Sequence, residues 1–198
     1  MPERLILASA SPRRTQLLAQ IGVSHEVMPA QLLERREPGE SIVACVQRLA
    51  ESKARQVLER LQDDTARVLV LGADTAVALD GRMFGKPHDE REGLEMLADL
   101  SGRTHEVLSA VALADAAGVR SALSVSQVRL RSIAPAEAAQ YWASGEPRDK
   151  AGAYAIQGFG ATFVQALQGS YSGVMGLPLY ETALLLRQAG IALWGASA

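Results

Sequence analysis

The chain has 198 residues and a formal net charge of −2, with 48% hydrophobic residues, 21% charged residues and one cysteine. At roughly 150 residues per domain this is a single domain spanning residues 1–198, too apolar to be disordered and long enough to fold without a disulfide or structural zinc, and it lacks the basic excess of a protein built to bind a DNA or RNA polymer. Cys45 alone forms neither an intramolecular disulfide nor a cysteine-based zinc site, which fits a reducing cytoplasm, and no apolar run reaches the roughly 18 residues of a membrane helix.

Leu5-Ile6-Leu7-Ala8 reads as a short buried strand. It is too short for a secretory apolar region and is followed by Arg13-Arg14, so the N-terminus reads as untargeted. Ser11-Pro12 opens a helix, with Ser11 as N-cap and Pro12 in the first turn. Leu17, Leu18 and Ile21 line its buried face and Gly22 ends it. Val23 to Met28 is expected to be a strand and Pro29 to Glu40 a polar loop. Ser41 to Gln62 has helical spacing at Ile42, Val46, Leu49 and Leu58. Arg67 to Ala73 is a buried strand that ends at Asp74-Thr75, extends through Leu79 and turns at Asp80-Gly81, a hairpin signal. Asp89 to Leu100 is an amphipathic helix. His105 to Leu113 and Val119 to Ile133 form two long strands around Ala116-Ala117-Gly118, and Pro135 to Ser144 is a helix. Glu146 to Gly176 mixes loop with one strand, Ala161 to Leu167, and Leu177 to Gln188 is the last helix. The adjacent long strand pair points to an α/β fold with a mixed sheet and flanking helices.

Five segments carry residues suited to chemistry. Ser9-Ala10-Ser11-Pro12-Arg13-Arg14 joins a strand to a helix N-terminus, a geometry that favours an anion. Two hydroxyls and two guanidiniums there suit a phosphate; the alternative is that Ser11 only caps and the arginines are solvated. Asp74 stands at the carboxyl end of the best strand, where ligands of open α/β sheets gather. It can serve as general base or metal ligand, or simply cap a turn. A phosphorylated nucleophile of the haloacid-dehalogenase type is disfavoured, because that pattern needs a second Asp where this chain has Ala76. Gly85-Lys86-Pro87 projects one lysine from a fixed turn. Arg48 to Lys53 lies on the second helix, where charges usually mean a solvated face, and Glu34 lies in the loop before it. Asp149 to Gly158 is punctuated by glycine and carries one amide, Gln157.

Arginine far outnumbers lysine, and the only lysines are Lys53, Lys86 and Lys150. A lysine kept in such a sequence suggests a need for a compact ammonium instead of a planar fork. His25, His88 and His105 show no metal-ligand spacing. Any metal would be held by carboxylates, which points to Mg²⁺ or Mn²⁺.

Together these segments resemble the Maf family of nucleoside triphosphate pyrophosphatases. The resemblance rests on SASPRR at Ser9 to Arg14, RLAESKA at Arg48 to Ala54, GADT at Gly72 to Thr75, GKP at Gly85 to Pro87 and SGRTHEV at Ser101 to Val107. It continues through GEPRDKAGAYAIQGFGATFV and GSYSGVMGLPLYET. GADT and IQG resemble the branch that hydrolyses dTTP and UTP. A sister branch, similar to enzymes preferring 7-methyl-GTP, has Gln after the Asp and Glu in place of Gln157.

The resemblance implies a fold like that of inosine triphosphatase, with two lobes around a cleft, and usually a homodimer. It implies cleavage between the α and β phosphates, with Asp74 as proton acceptor and Lys53, Lys86 and Glu34 in the active cleft. It ties Arg13, Thr75 and Gln157 to base selection. Ser9, Ser11 and Arg14 complete the expected substrate site, and Asp74 and Glu34 are the expected metal ligands. The family often carries two adjacent acids in the Glu34 loop, and here the first is Leu33. Modified pyrimidine nucleotides are a further substrate class to be expected. A non-catalytic, nucleotide-binding regulator of septum formation and a phosphatase releasing orthophosphate are the alternative readings.

Overall fold

A computed structural model describes residues 3–61 and 67–194. In chain order the elements are β1 (Glu3–Leu7), α1 (Pro12–Gln20), β2 (Glu26–Val27), α2 (Ile42–Glu59), β3 (Arg67–Leu79), β4 (Arg82–Phe84) and α3 (Glu90–Leu100). They continue with β5 (Thr104–Asp115), β6 (Gly118–Leu130), α4 (Pro135–Ala143), β7 (Val164–Gln168), α5 (Tyr171–Met175) and α6 (Leu179–Gln188). The strands are hydrogen-bonded in the order β2-β1-β3-β5-β6-β7, with β4 also paired to β3. β1 runs parallel to β2 and β3, whereas β4 and β7 are antiparallel to β3 and β6. The expected mixed sheet with flanking helices is therefore present.

Two compact units can be distinguished. The first comprises the described residues of Met1–Asp74, Ser109–Ser124 and Gly176–Ala198, and the second comprises Thr75–Leu108 and Val125–Met175. In the first unit Leu5 pairs with Leu69 and Leu7 with Leu71. Consecutive residues Leu5 to Leu7 and Leu69 to Leu71 are all buried, as expected of parallel strands covered on both faces. The buried side of α2 is Cys45, Val46, Leu49, Ala50, Lys53, Ala54 and Val57, a helical stripe with one ammonium in it. Ser41 caps α2 by accepting from the Ala44 N–H at 3.1 Å.

Gly72 sets the approach of α2 to β3. A Cβ on Gly72 would lie 2.2 Å from the Ala50 carbonyl oxygen and 2.8 Å from the Ala54 amide nitrogen, both backbone atoms. Gly72→Ala is therefore expected to push α2 off the strand and to lower stability by about 1–3 kcal/mol, the usual range for overpacking. Thermal or urea unfolding measures this, and wild-type stability would contradict it.

In the second unit β3 turns into β4 at Asp80-Gly81, which have φ of 51° and 77°. That is the hairpin the Asp-Gly pair announces. α3 starts at the N-cap Asp89, whose carboxylate accepts from the Glu92 N–H at 2.8 Å. One apolar cluster draws on β3, β4, α3, β5, β6, α4 and the segment 153–163, with Leu97, Leu100, Val128, Leu130 and Ala153 fully buried.

Several boundaries differ from the sequence reading. The strand expected over Val23 to Met28 shrinks to Glu26–Val27, because it is an edge strand with two register pairs to β1. The strand expected from Ala161 begins at Val164, since Gly158–Phe163 winds as a 3₁₀ helix. The strand expected to reach Ile133 stops at Leu130, where the Leu130 N–H already donates to the Arg103 carbonyl. The short helix Tyr171–Met175 was not anticipated. The expected end of the second helix, Gln62, lies outside the described residues.

Candidate active site

Asp74 lies inside β3 and not at its carboxyl end, because the strand runs unbroken from Arg67 to Leu79. There it faces Lys53 of the buried stripe of α2, within the first unit. Lys53 and Asp74 are 6% and 7% exposed, so neither belongs to a solvated face. The Lys53 ammonium donates to Asp74 Oδ1 at 2.7 Å and lies 2.8 Å from Glu34 Oε1. Two carboxylates from different parts of the chain thus converge on one cation.

The loop carrying Glu34 is tied to α2 at both ends. Near its start, Gln56 accepts from the Gln31 N–H at 2.6 Å and donates to the Gln31 carbonyl at 2.9 Å. Near its end, the Arg48 guanidinium grips the Glu40 carboxylate through two bonds of 2.7 and 2.8 Å. Arg48 also donates to the Arg35 carbonyl at 3.0 Å. A bidentate pair of this kind is directional, and it holds the Glu40 carboxyl down at about 2. These anchors were not singled out from the sequence, although Arg48 stands in the RLAESKA segment. The nearby Cys45 thiol is pushed up to about 11 by burial and by Glu40, which makes it an inert core thiol.

Ser9 and Arg14 stand at the turn into α1, where the Arg14 charge interacts with Asp74 and Glu34. Ser9 Oγ accepts from the Ser11 N–H at 3.2 Å and from Arg14 Nη1 at 3.0 Å. Arg14 Nε donates to the Gly176 carbonyl at 2.8 Å. Arg14 therefore serves the local scaffold as well as the charge of the site. Burial pulls its pKa down, while Asp74 and Glu34 act in the opposite sense. The expected capping role of Ser11 is not found. Ser11 occupies the N-cap position of α1 with no side-chain capping bond, and the hydroxyl that meets the turn is that of Ser9. Arg13 stands in the first turn of α1, half-buried.

Thr75, Lys86 and Gln157 belong to the second unit. Thr75 is half-buried on β3, Lys86 is exposed between Gly85 and the buried Pro87, and Gln157 is half-buried. The Gly85 carbonyl accepts from the Gly152 N–H at 3.0 Å, so the lysine turn is bonded to the glycine-rich segment. Lys150 does not behave as a candidate ligand group. Its ammonium donates to the Glu146 carbonyl at 3.2 Å and pairs with Asp149. His105 is a core residue whose Nε2 lies 2.7 Å from the Tyr154 hydroxyl, and burial lowers its pKa to about 4.

Among the described residues no group of three or more His, Cys, Asp or Glu side chains is arranged to hold a metal ion. Asp74 and Glu34 bring two carboxylates to one point, both on the Lys53 ammonium, and carboxylate oxygens are the donors a hard divalent cation would take. No helix among the described residues is long and apolar enough to cross a membrane.

The family described as Maf-like protein matches residues 4–189. The chain belongs to the Maf family. Relatives of this Maf protein include a dTTP/UTP pyrophosphatase of Methylococcus capsulatus, 53% identical over 95% of this chain and 92% of that one. Another, from Saccharophagus degradans, is 49% identical over 96% and 90% of the two chains. A third, from Bordetella parapertussis, is 50% identical over 97% and 95%. Each is named dTTP/UTP pyrophosphatase. A solved dITP/XTP pyrophosphatase from Mycobacterium abscessus aligns over 93% of the Maf chain and 94% of its own, at 17% identity and a TM-score of 0.42.

Asp74 is the group whose ionisation matters most. Burial raises its pKa, and the charge and hydrogen bond of Lys53, with help from Arg14, work against that rise. A carboxyl that binds its proton more tightly when folded contributes stability in acid, below its unfolded pKa, and loses it as pH rises through the folded value. For the proton-acceptor role expected of Asp74 from the sequence, activity should run the other way, because that role requires the ionised form. The acid limb of kcat/KM is therefore expected above the ordinary aspartate range. Lys53→Met removes the main counterweight and should move that limb to higher pH. A pH–rate profile of both proteins checks this; coincident limbs would contradict it.

Proposed function

We propose that this protein is a nucleoside triphosphate pyrophosphatase that hydrolyses dTTP and UTP to the monophosphate and pyrophosphate. The observation that carries the reading is the near-complete coverage by relatives of that name at about half identity. The site geometry supplies fitting chemistry. A triphosphate brings about four negative charges, so hydrolysis needs cations around the phosphates. Arg13, Arg14, Lys53 and Lys86 are the residues assigned to that task. Asp74 takes the proton of the water that cleaves the anhydride between the α and β phosphates. Lys53, donating to Asp74 Oδ1, keeps that carboxylate ionised and oriented. Ser9 and Arg14 shape the turn that receives phosphate oxygens.

Asp74 and Glu34 would hold a divalent cation, Mg²⁺ or Mn²⁺. Such an ion, when bound, neutralises phosphate charge and acidifies a coordinated water. Thr75 and Gln157 are assigned to the base, with Arg13. Uracil and thymine present an N3–H donor and an O4 acceptor, which an amide matches with its carbonyl and its NH₂. The thymine methyl is worth only about 1–3 kcal/mol in a pocket, so UTP and dTTP are both substrates. A cytoplasmic homodimer belongs to the same reading.

The test is kcat/KM for UTP, dTTP, CTP, ATP and GTP with Mg²⁺ or Mn²⁺. UTP and dTTP should lead together. A purine nucleotide in the lead would overturn the assignment.

A further inference from the structure

Glu34 reaches the Lys53 ammonium from a stretch with no regular structure of its own. Residues 28–41 form neither helix nor strand, and the Glu34 side chain is 48% exposed. Its place beside Lys53 therefore depends on how the backbone around it is held. Three side chains of α2 meet the loop in reverse order. Gln56 bonds both the N–H and the carbonyl of Gln31, Lys53 meets Glu34, and Arg48 donates to the carbonyl of Arg35, the residue next to Glu34.

Arg48 is the anchor adjacent to Glu34. Its Nε and Nη2 grip both oxygens of Glu40, and the same Nη2 takes the Arg35 carbonyl at 3.0 Å. One guanidinium thus closes the stretch 35–40 at both ends. Glu40 Oε2 also accepts from the Glu37 N–H at 3.0 Å, so the gripped carboxylate ties down the middle of that stretch. An exposed ion pair would contribute little. The Glu40 side chain is only 11% exposed, however, and a bidentate guanidinium–carboxylate pair fixes direction as well as distance.

We propose that Arg48 is a positioning residue for hydrolysis: by gripping Glu40 and the Arg35 carbonyl it holds the loop on α2 and keeps Glu34 on the Lys53–Asp74 pair. Its effect is exerted through Glu34. Without the clamp the backbone beside Glu34 loses its nearest anchor, and a half-exposed carboxylate is free to move off the ammonium into solvent. The Lys53–Asp74 bond joins α2 directly to β3 and does not need the clamp. The inference rests on Glu34 as a residue of the active site.

The experiment compares Arg48→Met, Arg48→Lys, Glu34→Ala and the two double variants that combine Glu34→Ala with each change at Arg48. The readouts are kcat/KM for UTP, taken well below each melting temperature, and the rate of trypsin cleavage after Arg35 and Arg36, followed by mass spectrometry. Arg48→Met removes every donor, so kcat/KM should fall by about 10–100-fold and cleavage at those two bonds should quicken. Arg48→Lys keeps the charge but not the fork. It should move both readouts the same way by less, and it carries the test if Arg48→Met does not fold. With Glu34 already removed, either change at Arg48 should cost little more activity, whereas a role confined to stability would lower activity alike on both backgrounds. Equal losses with and without Glu34, wild-type kcat/KM in the Arg48 variants, or lost activity with wild-type cleavage overturns the proposal if Glu34→Ala itself lowers kcat/KM. Wild-type activity in Glu34→Ala overturns the active-site role of Glu34 instead, and no turnover of UTP by the unaltered protein overturns the functional reading.

Discussion

Asp74→Asn is expected to lower kcat/KM for UTP by at least about 10²–10⁴-fold, the range for a lost general base. The amide is nearly isosteric with the carboxylate, but it takes no proton at neutral pH and binds a hard cation poorly. Folding should survive. Removing one partner of a buried ion pair is severe when the other charge is stranded, yet the Lys53 ammonium keeps Glu34 Oε1 at 2.8 Å. Burial already disfavours the charged form of Asp74, so the neutral amide also relieves a cost. Activity and melting temperature measured on the same preparation separate the two effects. Activity within a few-fold of wild type, with an unchanged melting temperature, would remove Asp74 from the role of proton acceptor.

Gln157→Glu should change which base is accepted. The carboxylate loses the donor for O4 of uracil or thymine and sets a negative charge against that acceptor. It gains the ability to accept from both N1–H and N2–H₂ of guanine. A site built to hydrogen-bond a substrate group discriminates strongly once the pairing is lost, so UTP and dTTP hydrolysis should fall by about 10²-fold or more. GTP and 7-methyl-GTP should rise relative to them. Thr75, also proposed to meet the base, is unchanged in this variant, so a complete exchange of specificity is not expected. The measurement is kcat/KM for the four ribonucleotides, dTTP and 7-methyl-GTP in both proteins. An undiminished lead of UTP and dTTP over purines would show that Gln157 does not read the base.

The sequence was most informative where one local rule dominated. The apolar run before Asp74 made β3 legible, although the strand continues to Leu79 and leaves the carboxylate inside it instead of at its end. Asp80-Gly81 announced the hairpin, and Ser41 and Asp89 marked helix starts. It was least informative where a contact joins residues distant in the chain. Lys53 looks like part of a charged helical face, and only the close approach permitted by Gly72 turns it inward beside Asp74. Ser11 matches a helix cap by position, yet the hydroxyl used in the turn is that of Ser9, because Arg14 reaches back to it while bound to Gly176. The same limit hid the grip of Arg48. A guanidinium that reaches a carboxylate 8 positions away and a carbonyl 13 positions away follows no helical or strand period. The cue available was an arginine in the RLAESKA segment that also carries Lys53.

The most direct measurement is the identity of the products when the intact protein turns over UTP with Mg²⁺ or Mn²⁺. Pyrophosphate and orthophosphate are quantified separately against UMP and UDP. Hydrolysis between the α and β phosphates gives one pyrophosphate for each UMP, with no UDP and no orthophosphate. Orthophosphate formed in step with UDP would contradict a pyrophosphatase mechanism, and nucleotide bound without turnover would contradict catalysis altogether.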